Sequence, residues 1–266
     1  MSFIHTRRIA LKNVRQSFIV NDAPIHLFEN VNLTVEQGQS YAITGPSGTG
    51  KSSLLMLLSG LEKPSAGEGV YVCSTANKTA QRDGAQNEGG RREGSQSGVI
   101  KEQRLPLEAL RANIGFIFQQ FHLLPELTAL HNVALPLKLR GEKNAQEKAT
   151  YWLEKVGLAH RLTHKPKQLS GGEQQRVAIA RALIFEPKFI FADEPTGNLD
   201  VNSAHEVADM LFSCCEENGA GLVIVTHNEA LAQRADQVLR LERKTNSASG
   251  SNLKSQLRSA VEDTPC

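Results

Sequence analysis

The sequence predicts an α/β fold, and three observations support this. Apolar segments of strand length alternate with longer segments of helical period, which is typical of a sheet covered by helices. Residues 189–192 (FIFA) and 222–226 (LVIVT) are almost continuously apolar, as expected of parallel strands buried on both faces. Ser40–Thr44 (SYAIT) leads through a glycine-rich turn into residues 52–58 (SSLLMLL), which contain no Gly or Pro and predict a buried helix. Polar residues follow each strand, at the edge where such sheets bind ligands.

The composition is that of a globular protein. The chain has 266 residues, enough for one large domain or two small ones. Apolar residues make up 40% and charged residues 22%, which excludes a wholly disordered or fibrous chain. The formal net charge is +2, so bulk charge predicts no binding to nucleic acid or to an anionic membrane.

The sequence also predicts a cytoplasmic protein with reduced thiols. It has no apolar stretch near the roughly 18 to 20 residues that a membrane-spanning helix needs, and its first residues lack the apolar core of a signal peptide. The cysteines are Cys73, Cys214, Cys215 and Cys266. Because they form no C-x-x-C pair and two are adjacent, neither a zinc site nor a disulfide framework is expected.

Two segments have the composition of loops. Residues 74–98 contain no Val, Ile, Leu, Met or aromatic residue, so they predict a flexible polar surface insertion. Residues 244–266 are rich in Ser, Asn and Lys and predict a flexible C-terminal tail. Leu253, Leu257 and Val261 recur every four residues, which leaves a short helix as the alternative, although short isolated helices are unstable in water.

The glycine-rich turn fits the phosphate-binding pattern G-x-x-x-x-G-K-[ST]. It lies between a predicted strand and a predicted helix, so its N–H groups would converge on phosphate oxygens at the positive end of the helix dipole. Lys51 would reach the β- and γ-phosphates, and the Ser52 hydroxyl would bind Mg²⁺. The predicted nucleotide contacts are Gly45, Pro46, Ser47, Gly48, Thr49, Gly50, Lys51, Ser52 and Ser53. The alternative is a glycine-rich turn without a ligand.

An acidic pair ends the FIFA strand. Asp193 at this edge would hold Mg²⁺, and Glu194 would polarise a water for attack on the γ-phosphate. The alternative is a solvated strand end, which the phosphate loop makes the weaker interpretation.

The segment LSGGEQQ, residues 169–175, predicts a second anion site. Ser170 is a plausible N-cap, and Gly171 and Gly172 would leave bare N–H groups at the start of a helix. One triphosphate does not need two such cradles within one subunit.

LSGGEQQ resembles the signature motif of ATP-binding cassette (ABC) ATPases. Other marks of that family stand in the expected order: Gln119 after IGFIF, the GNLD segment at 197–200, and His227 after LVIVT. The resemblance covers residues 9–243. The phrases HLLPELTALHNVALPLKLRG, ADEPTGNLD and VTHNEALA resemble the subfamily that powers lipoprotein release and macrolide export in bacteria.

The resemblance implies a fold and an assembly. The fold is a P-loop NTPase core with a mostly parallel sheet, an N-terminal antiparallel β-subdomain and an inserted α-helical subdomain at about 120–180, all within a nucleotide-binding domain of residues 1–243. The assembly is a head-to-tail homodimer, in which the Lys51 loop of one subunit and Ser170, Gly171 and Gly172 of the other bind the same ATP. Asp200 would lie at the dimer interface.

The resemblance also implies residue roles. Glu194 is the catalytic base, His227 contacts the γ-phosphate and fixes the attacking water, and Gln119 links Mg²⁺ to the helical subdomain; Ser52, Gln119 and Asp193 form the metal set. Phe18 would stack on adenine, which reads no base edge, so selectivity for ATP over GTP is left open. The alternatives are a capped surface histidine for His227, a strand-end polar residue for Gln119 and a core residue for Phe18.

Two features depart from the family pattern. The insertion lengthens the stretch between Lys51 and Gln119, and His131 stands where these relatives commonly have Glu. Both lie away from the phosphate chemistry, and both bear on partner choice.

The expected function is ATP hydrolysis that powers a separate inner-membrane permease with a large extracytoplasmic domain, for export or extraction of a hydrophobic or lipid-linked substrate. The protein would be peripheral on the cytoplasmic face of the bacterial inner membrane. Leu123, Leu124 and Leu127 are candidates for the permease groove, or else fill the core of the helical subdomain. The rivals are an ABC ATPase that signals across the membrane without transport, and a soluble one acting on DNA or ribosomes. The chain has neither long heptad arms nor a second cassette, which disfavours the soluble rival.

Overall fold

The described strands form one sheet with an antiparallel half and a parallel half. The computed structural model describes residues 3–20, 23–77, 101–243 and 251–257. The strands are β1 (Phe3–Val20), β2 (Ala23–Glu36), β3 (Ser40–Thr44), β4 (Ala66–Asn77), β5 (Lys101–Pro106), β6 (Ile114–Ile117), β7 (Phe189–Asp193), β8 (Gly221–Val225), β9 (Gln237–Arg243) and β10 (Ser251–Leu257). Their order is β5-β4-β1-β2-β10-β9-β3-β8-β7-β6. β5, β4, β1 and β2 pair antiparallel, whereas β9, β3, β8, β7 and β6 pair parallel.

Six α-helices and three short 3-10 helices, Leu107–Ala112, Ala159–Arg161 and Pro166–Gln168, accompany the described strands. The α-helices are α1 (Lys51–Leu58), α2 (Ala129–Leu139), α3 (Ala145–Lys155), α4 (Gly171–Leu183), α5 (Val201–Glu217) and α6 (Glu229–Ala232). None of the described helices is long and apolar enough to cross a membrane.

The first helix, α1, lies within the apolar core. Leu54, Leu55, Leu57 and Leu58 are all fully buried and form one broad apolar face of the helix. They pack with side chains from both halves of the sheet, among them Phe28 of β2 and Tyr41 of β3. This packing fixes the helix that follows the glycine-rich turn.

Helices α2, α3 and α4 pack in a second apolar cluster, which includes Val133, Trp152 and Val177 and continues onto α5 and the parallel strands. Buried Asn132 fastens the segment before α2, because its side chain accepts from the Leu124 N–H and donates to the carbonyl oxygens of Leu124, Leu127 and Thr128. The antiparallel half of the sheet, its parallel half and this inserted helical cluster confirm the predicted fold class.

The predicted polar insertion begins later than the composition indicated. Ser74–Asn77 continue β4, and Ser74 and Thr75 pair with Glu102 and Lys101 of β5. Their polar side chains need no apolar burial, because neighbouring strands supply their backbone hydrogen bonds. The remainder of the insertion, 78–98, lies outside the described residues.

The prediction of a frayed tail or a short helix is wrong for Ser251–Leu257. This segment is β10, antiparallel to β9 and joined to β2 at Ser251 and Phe28. Four is a multiple of the two-residue strand period, so the leucine spacing did not distinguish helix from strand. The tail residues 244–250 and 258–266 lie outside the described residues, and the domain boundary at 243 stays a prediction.

Candidate nucleotide-binding and hydrolysis site

The glycine-rich turn joins β3 to α1, and hydrogen bonds within the turn hold it together. Lys51 Nζ donates to the carbonyl oxygens of Gly45 and Pro46, both at 3.0 Å, and Thr49 Oγ1 donates to the Pro46 carbonyl at 2.9 Å. Gly50, the N-cap of α1, has φ of 91°, a conformation that favours glycine. A Cβ there would also lie 3.0 Å from Leu27 Cβ. Because Gly50 supplies no side-chain cap, the first N–H groups of α1 are left for a ligand.

Two oxygen donors from distant parts of the chain meet beside this loop. Ser52 Oγ donates to Asp193 Oδ1 at 3.2 Å. Burial raises the pKa of Asp193; the Ser52 hydrogen bond opposes that rise, the Glu194 charge adds to it, and Lys51 opposes it. A cation would favour the ionised carboxylate, so the pair suits a hard ion such as Mg²⁺ that takes oxygen ligands. Among the described residues there is no cluster of three or more His, Cys, Asp and Glu that could hold a metal ion.

Glu194 is oriented by the end of β8. Its N–H donates to the Val225 carbonyl at 2.9 Å, and its backbone has φ of 45°, a strained value for a residue with a side chain. Glu194 Oε2 lies 3.0 Å from His227 Nδ1 and accepts from the His227 N–H at 3.4 Å. The Glu194 side chain is 16% exposed and that of His227 is 72% exposed, so the imidazole stands at the surface above the carboxylate. The structure therefore brings both residues to the sheet edge beside Asp193.

Gln119 lies two residues beyond β6 and is tied to the turn that follows the acidic pair. Its Nε2 donates to Asn198 Oδ1 at 3.2 Å, and Asn198 Nδ2 donates to the Gln119 carbonyl at 2.9 Å. A Cβ at Gly197 would lie 3.1 Å from Gln119 Nε2. Gln119 and Asn198 thus bond to each other in both directions, so Gln119 is more than a polar residue at the end of a strand. Asn198 belongs to the GNLD segment, but no sequence pattern indicated this contact.

The segment at 170–172 begins helix α4 in a capping box. Ser170 Oγ accepts from the Glu173 N–H at 3.2 Å, and Glu173 Oε2 accepts from the Ser170 N–H at 2.8 Å. Arg161 Nε donates to Glu173 Oε1 at 2.8 Å. Burial raises the pKa of Glu173, but the hydrogen bond from Ser170 and the Arg161 charge outweigh it and hold the pKa below its usual value. The S-x-x-E spacing is a capping-box pattern, so the sequence could have revealed this role of Glu173.

Within one chain, the predicted anion site at residues 170–172 does not lie against the phosphate loop. The atoms nearest to a Cβ built at Gly171 or Gly172 belong to Leu199, Asn198, Phe121 and Ser203, and none belongs to the phosphate loop. Asp200 is exposed and caps α5, with Oδ1 accepting from the Ser203 N–H at 3.0 Å; this hydrogen bonding holds the pKa of Asp200 below its usual value.

Phe18 lies near the phosphate loop on an exposed hairpin. It pairs with Ile25 of β2, two residues before Leu27, the residue that faces Gly50. Phe18 is 40% exposed and its neighbour Ile19 is 78% exposed, so the alternative of a core phenylalanine is wrong. The ring is accessible to an adenine base.

The loop after Gln119 is strained in a way that the sequence did not indicate. Phe121 and His122 are consecutive non-glycine residues with φ of 57° and 46°. Such residues cost about 1 to 3 kcal/mol each and persist only where their surroundings hold them. Arg181 of α4 donates to both of their carbonyl oxygens, at 2.8 Å for Phe121 and 2.5 Å for His122.

A shallow cavity of about 310 Å³ opens beside this loop. Its lining includes Phe118, His122, Pro136, Arg181 and Phe185. The three leucines that the sequence singled out are not in the lining. Leu123 packs against the helical cluster, Leu124 is 46% exposed, and Leu127 is half-buried. Leu123 therefore belongs to the core of the helical subdomain, which was the alternative interpretation. The cavity is lined mainly by aromatic residues instead of the three leucines.

His131 also has a structural explanation. The Thr128 hydroxyl lies 3.2 Å from His131 Nδ1, and Gln146 Nε2 lies 3.3 Å from His131 Nε2. The imidazole thus joins the start of α2 to α3, away from the acidic pair.

Comparison with known proteins gives the same picture. The ABC transporter family model matches residues 28–197. The lipoprotein-releasing system ATP-binding protein LolD of Saccharophagus degradans is 44% identical over 232 residues, 86% of this chain and 92% of that protein. The uncharacterised ABC transporter ATP-binding protein YbbA of Escherichia coli K12 is 41% identical over 235 residues, 88% of this chain and 93% of that protein.

Solved structures extend the likeness to the fold. The dimeric bacterial ABC transporter cassette MJ0796 superposes with a TM-score of 0.66 at 35% identity, covering 87% of this chain and 93% of that one. A second structure of the same cassette, with the same scores, is a dimeric post-hydrolysis state bound to ADP and Pi. This chain therefore belongs to the ABC transporter family and is an ATP-binding, ATP-hydrolysing cassette.

Proposed function

We propose that this protein is the ATPase subunit of a bacterial inner-membrane complex that releases or extracts a lipid-linked substrate, working as a head-to-tail homodimer with Mg²⁺. The observation that carries the proposal is the pair of anion cradles that do not meet within one chain. A shared site uses both, since the Ser170 cradle of one subunit faces the Lys51 loop of the other. The dimeric form of the relative MJ0796 supports this assembly.

Each residue has a task in that shared site. The Lys51 ammonium would exchange its hydrogen bonds to the Gly45 and Pro46 carbonyl oxygens for contacts with the phosphates. The N–H groups at the start of α1 would also bind phosphate oxygens. Ser52 and Asp193 would hold Mg²⁺, which supplies charge neutralisation at the phosphates when it is bound.

Glu194 and His227 would act on the attacking water. Glu194 Oε2, the atom now held by His227, would accept the proton of that water, while His227 holds the water in place from the exposed side. Gln119 would respond to the presence or loss of the γ-phosphate, and its contact with Asn198 and the strained loop that follows it would transmit that change. Phe18 would stack on the base, Ser170, Gly171 and Gly172 would bind the partner's γ-phosphate, and Asp200 would lie at the interface.

The partner is a permease with a large extracytoplasmic domain. The aromatic-lined cavity beside the Gln119 loop, with Phe118, Pro136 and Phe185 in its lining, is the proposed docking site for a cytoplasmic segment of that permease. The loop after Gln119 connects this cavity to the hydrolysis site, so ATP-driven movement would be transmitted to the permease at the cavity. The protein would accordingly sit on the cytoplasmic face of the membrane. The names of the relatives support a lipoprotein as the substrate.

The proposal is tested by reconstitution. Expressed with its permease, the protein should co-purify with a multi-span membrane protein and release a lipoprotein from proteoliposomes when ATP and Mg²⁺ are added. Glu194→Gln should keep ATP-dependent dimerisation but reduce phosphate release and lipoprotein release by about 10²- to 10⁴-fold, the usual effect of losing a general base. Glu229→Gln is the matched control, because Glu229 is exposed at the start of α6, and it should change neither.

Two results would contradict the proposal. One is recovery of ribosomes or DNA-associated proteins, and of no multi-span protein, from solubilised membranes. The other is ATP-dependent stimulation of an envelope enzyme without any release of lipid-linked cargo, which would favour a signalling role.

A further inference from the structure

A second cavity lies between α5 and α6, beside the hydrolysis site. It has a volume of about 260 Å³, and we call it the α5–α6 cavity. Its lining includes Thr196, His205, Thr226, His227 and Arg234. A water molecule takes about 30 Å³ in the liquid, so the cavity has room for several waters or for one small anion.

One end of the α5–α6 cavity adjoins the proposed general base. Gly197 and His227 both belong to the lining. A Cβ at Gly197 would lie 3.5 Å from Glu194 Cβ, and His227 Nδ1 lies 3.0 Å from Glu194 Oε2. The cavity therefore begins next to the carboxylate that we propose to activate the attacking water, where the cleaved phosphate forms.

The other end reaches the surface along α5. Arg234, in the lining, donates from NH1 to Asp209 Oδ1 at 2.8 Å. Asp209 lies eight residues after Val201, the first residue of α5, which is about 12 Å along the helix axis. His205 lies between them on α5 and is exposed. The cavity thus leads from the hydrolysis site to solvent.

The charges around the cavity favour an anion. The described residues of its lining include no Asp or Glu, whereas His205, His227 and Arg234 supply N–H donors. Asp209 pairs with Arg234 from outside the lining. Glu194 borders the inner end, but in the proposed function it takes a proton from the attacking water, so its charge is neutralised as phosphate forms.

Two buried hydroxyls add to these donors. Thr226 is fully buried, and its Oγ1 accepts from the Asn228 N–H at 3.1 Å, so its own hydrogen is left to donate. Thr196 is only 9% exposed, and within the described part of the chain its hydroxyl makes no hydrogen bond. A buried hydroxyl without a partner costs free energy, which an oxyanion in the cavity would offset.

We propose that the α5–α6 cavity binds inorganic phosphate as it leaves the hydrolysis site, with the Thr196 and Thr226 hydroxyls as contacts and His205 at the outer end. The inference rests on the proposed function, in which Glu194 and His227 act at the γ-phosphate. It adds a product site with its own exit. Phosphate and ADP would leave by different routes, because the phosphate loop is not part of the cavity lining.

The test compares ATP cleavage with phosphate release in single turnovers of the full chain. Cleavage is measured after acid quenching, and free phosphate is followed with a fluorescent phosphate-binding protein. Thr196→Val keeps the shape of the side chain but removes its hydroxyl, so free phosphate should lag at least fivefold behind cleavage. Cleavage should stay within threefold of the parent, and release of a fluorescent ADP analogue within twofold.

Two further variants make the test specific. Ala204→Leu narrows the cavity and keeps its polar groups, so it should cause the same lag; it serves in place of Thr196→Val if that variant does not fold. Thr150→Val is the matched control, because Thr150 lies on α3 and its hydroxyl donates to the Gln146 carbonyl. Its phosphate should appear together with cleavage, as in the parent.

The possible results separate the inference from the proposed function. Phosphate release that keeps pace with cleavage in both Thr196→Val and Ala204→Leu would overturn the exit site. Equal slowing of phosphate and ADP release would also overturn it, because that pattern indicates a general effect on the nucleotide site. Absence of ATP cleavage in the parent would instead overturn the proposed function.

Discussion

Helices α1 and α4 both begin at a turn that we propose to bind phosphate, yet the two helix starts are built differently. α1 begins at Gly50 without a side-chain cap, and its four leucines are locked in the core between the halves of the sheet. α4 begins at Ser170 in a closed capping box, and it is also packed into the core, where Val177, Ile179 and Leu183 are fully buried. Both helices are therefore held by core packing, and they differ at their first turns: Ser52 of α1 contacts Asp193 of the same chain, whereas Ser170 at the start of α4 is exposed.

This difference indicates how two helix starts can serve one nucleotide from two chains. The start of α1 can bind nucleotide in the monomer, because its N–H groups are already aligned beside Asp193. The exposed start of α4 is instead accessible to a nucleotide that a partner chain has bound. Changes at α1 should therefore abolish binding, and changes at α4 should spare binding and affect association.

The largest effect is expected from Lys51→Ala. A hydrogen bond from a charged group contributes about 1.5 to 3 kcal/mol, so ATP binding by the monomer should weaken about 10- to 100-fold, and hydrolysis should be lost. The measurement is fluorescence titration with an ATP analogue. Lys63→Ala is the control, because Lys63 is exposed and pairs with Glu108. Normal binding by Lys51→Ala would show that the α1 cradle is not the nucleotide site.

Asp193→Asn should abolish activity without lowering the stability of the fold. Loss of the carboxylate should abolish Mg²⁺-dependent hydrolysis, since Asp193 is the charged member of the proposed metal set. The pKa of Asp193 is raised in the fold, so its contribution to stability is greatest below the ordinary value of 3.8 and declines as pH rises through the folded value. At neutral pH without nucleotide, Asp193→Asn should therefore melt no lower than the parent, and a marked fall in melting temperature would contradict this account.

Glu173→Gln should have a small effect on the α4 cradle. Gln can complete a capping box, so only the ion pair with Arg161 is lost, which contributes up to about 1 kcal/mol. The pKa of Glu173 is lowered, so the stabilisation is present above the ordinary value of 4.5 and is lost as pH falls through the folded value. Urea unfolding should show a difference between parent and variant at pH 7 that disappears in acid. A difference that grows in acid would be inconsistent with this ion pair.

The smallest effect is expected from the polar insertion. Replacing residues 78–98 with a short Gly-Ser link should change the melting temperature and the ATPase rate of the isolated protein little, since the segment has no large apolar side chain to bury. A loss of several degrees would contradict this, and a loss seen only with the permease present would make the segment a partner contact.

The parts of the site that were predictable are those fixed by local sequence. The phosphate loop, the acidic pair after β7 and the Ser170 cap depend on residues within a few positions of one another. Tertiary contacts decide the rest. The residue types at Phe121 and His122 do not predict a left-handed backbone, because Arg181, some 60 positions away, holds that conformation through hydrogen bonds. β10 was missed for the same reason, since its pairing depends on the edges of β9 and β2.

The central claim, that each ATP is bound by two chains, is tested most directly by mixing two inactive variants. Lys51→Ala and Ser170→Arg, each with Glu194→Gln and one of two fluorescent labels, should not associate alone when ATP is added. In the mixture, the intact Lys51 loop of one chain meets the intact Ser170 cradle of the other, so we expect energy transfer that requires ATP and is maximal at a 1:1 ratio. If each site were built within one chain, every site in the mixture would carry a defect. No ATP-dependent transfer at any ratio would therefore contradict the shared site.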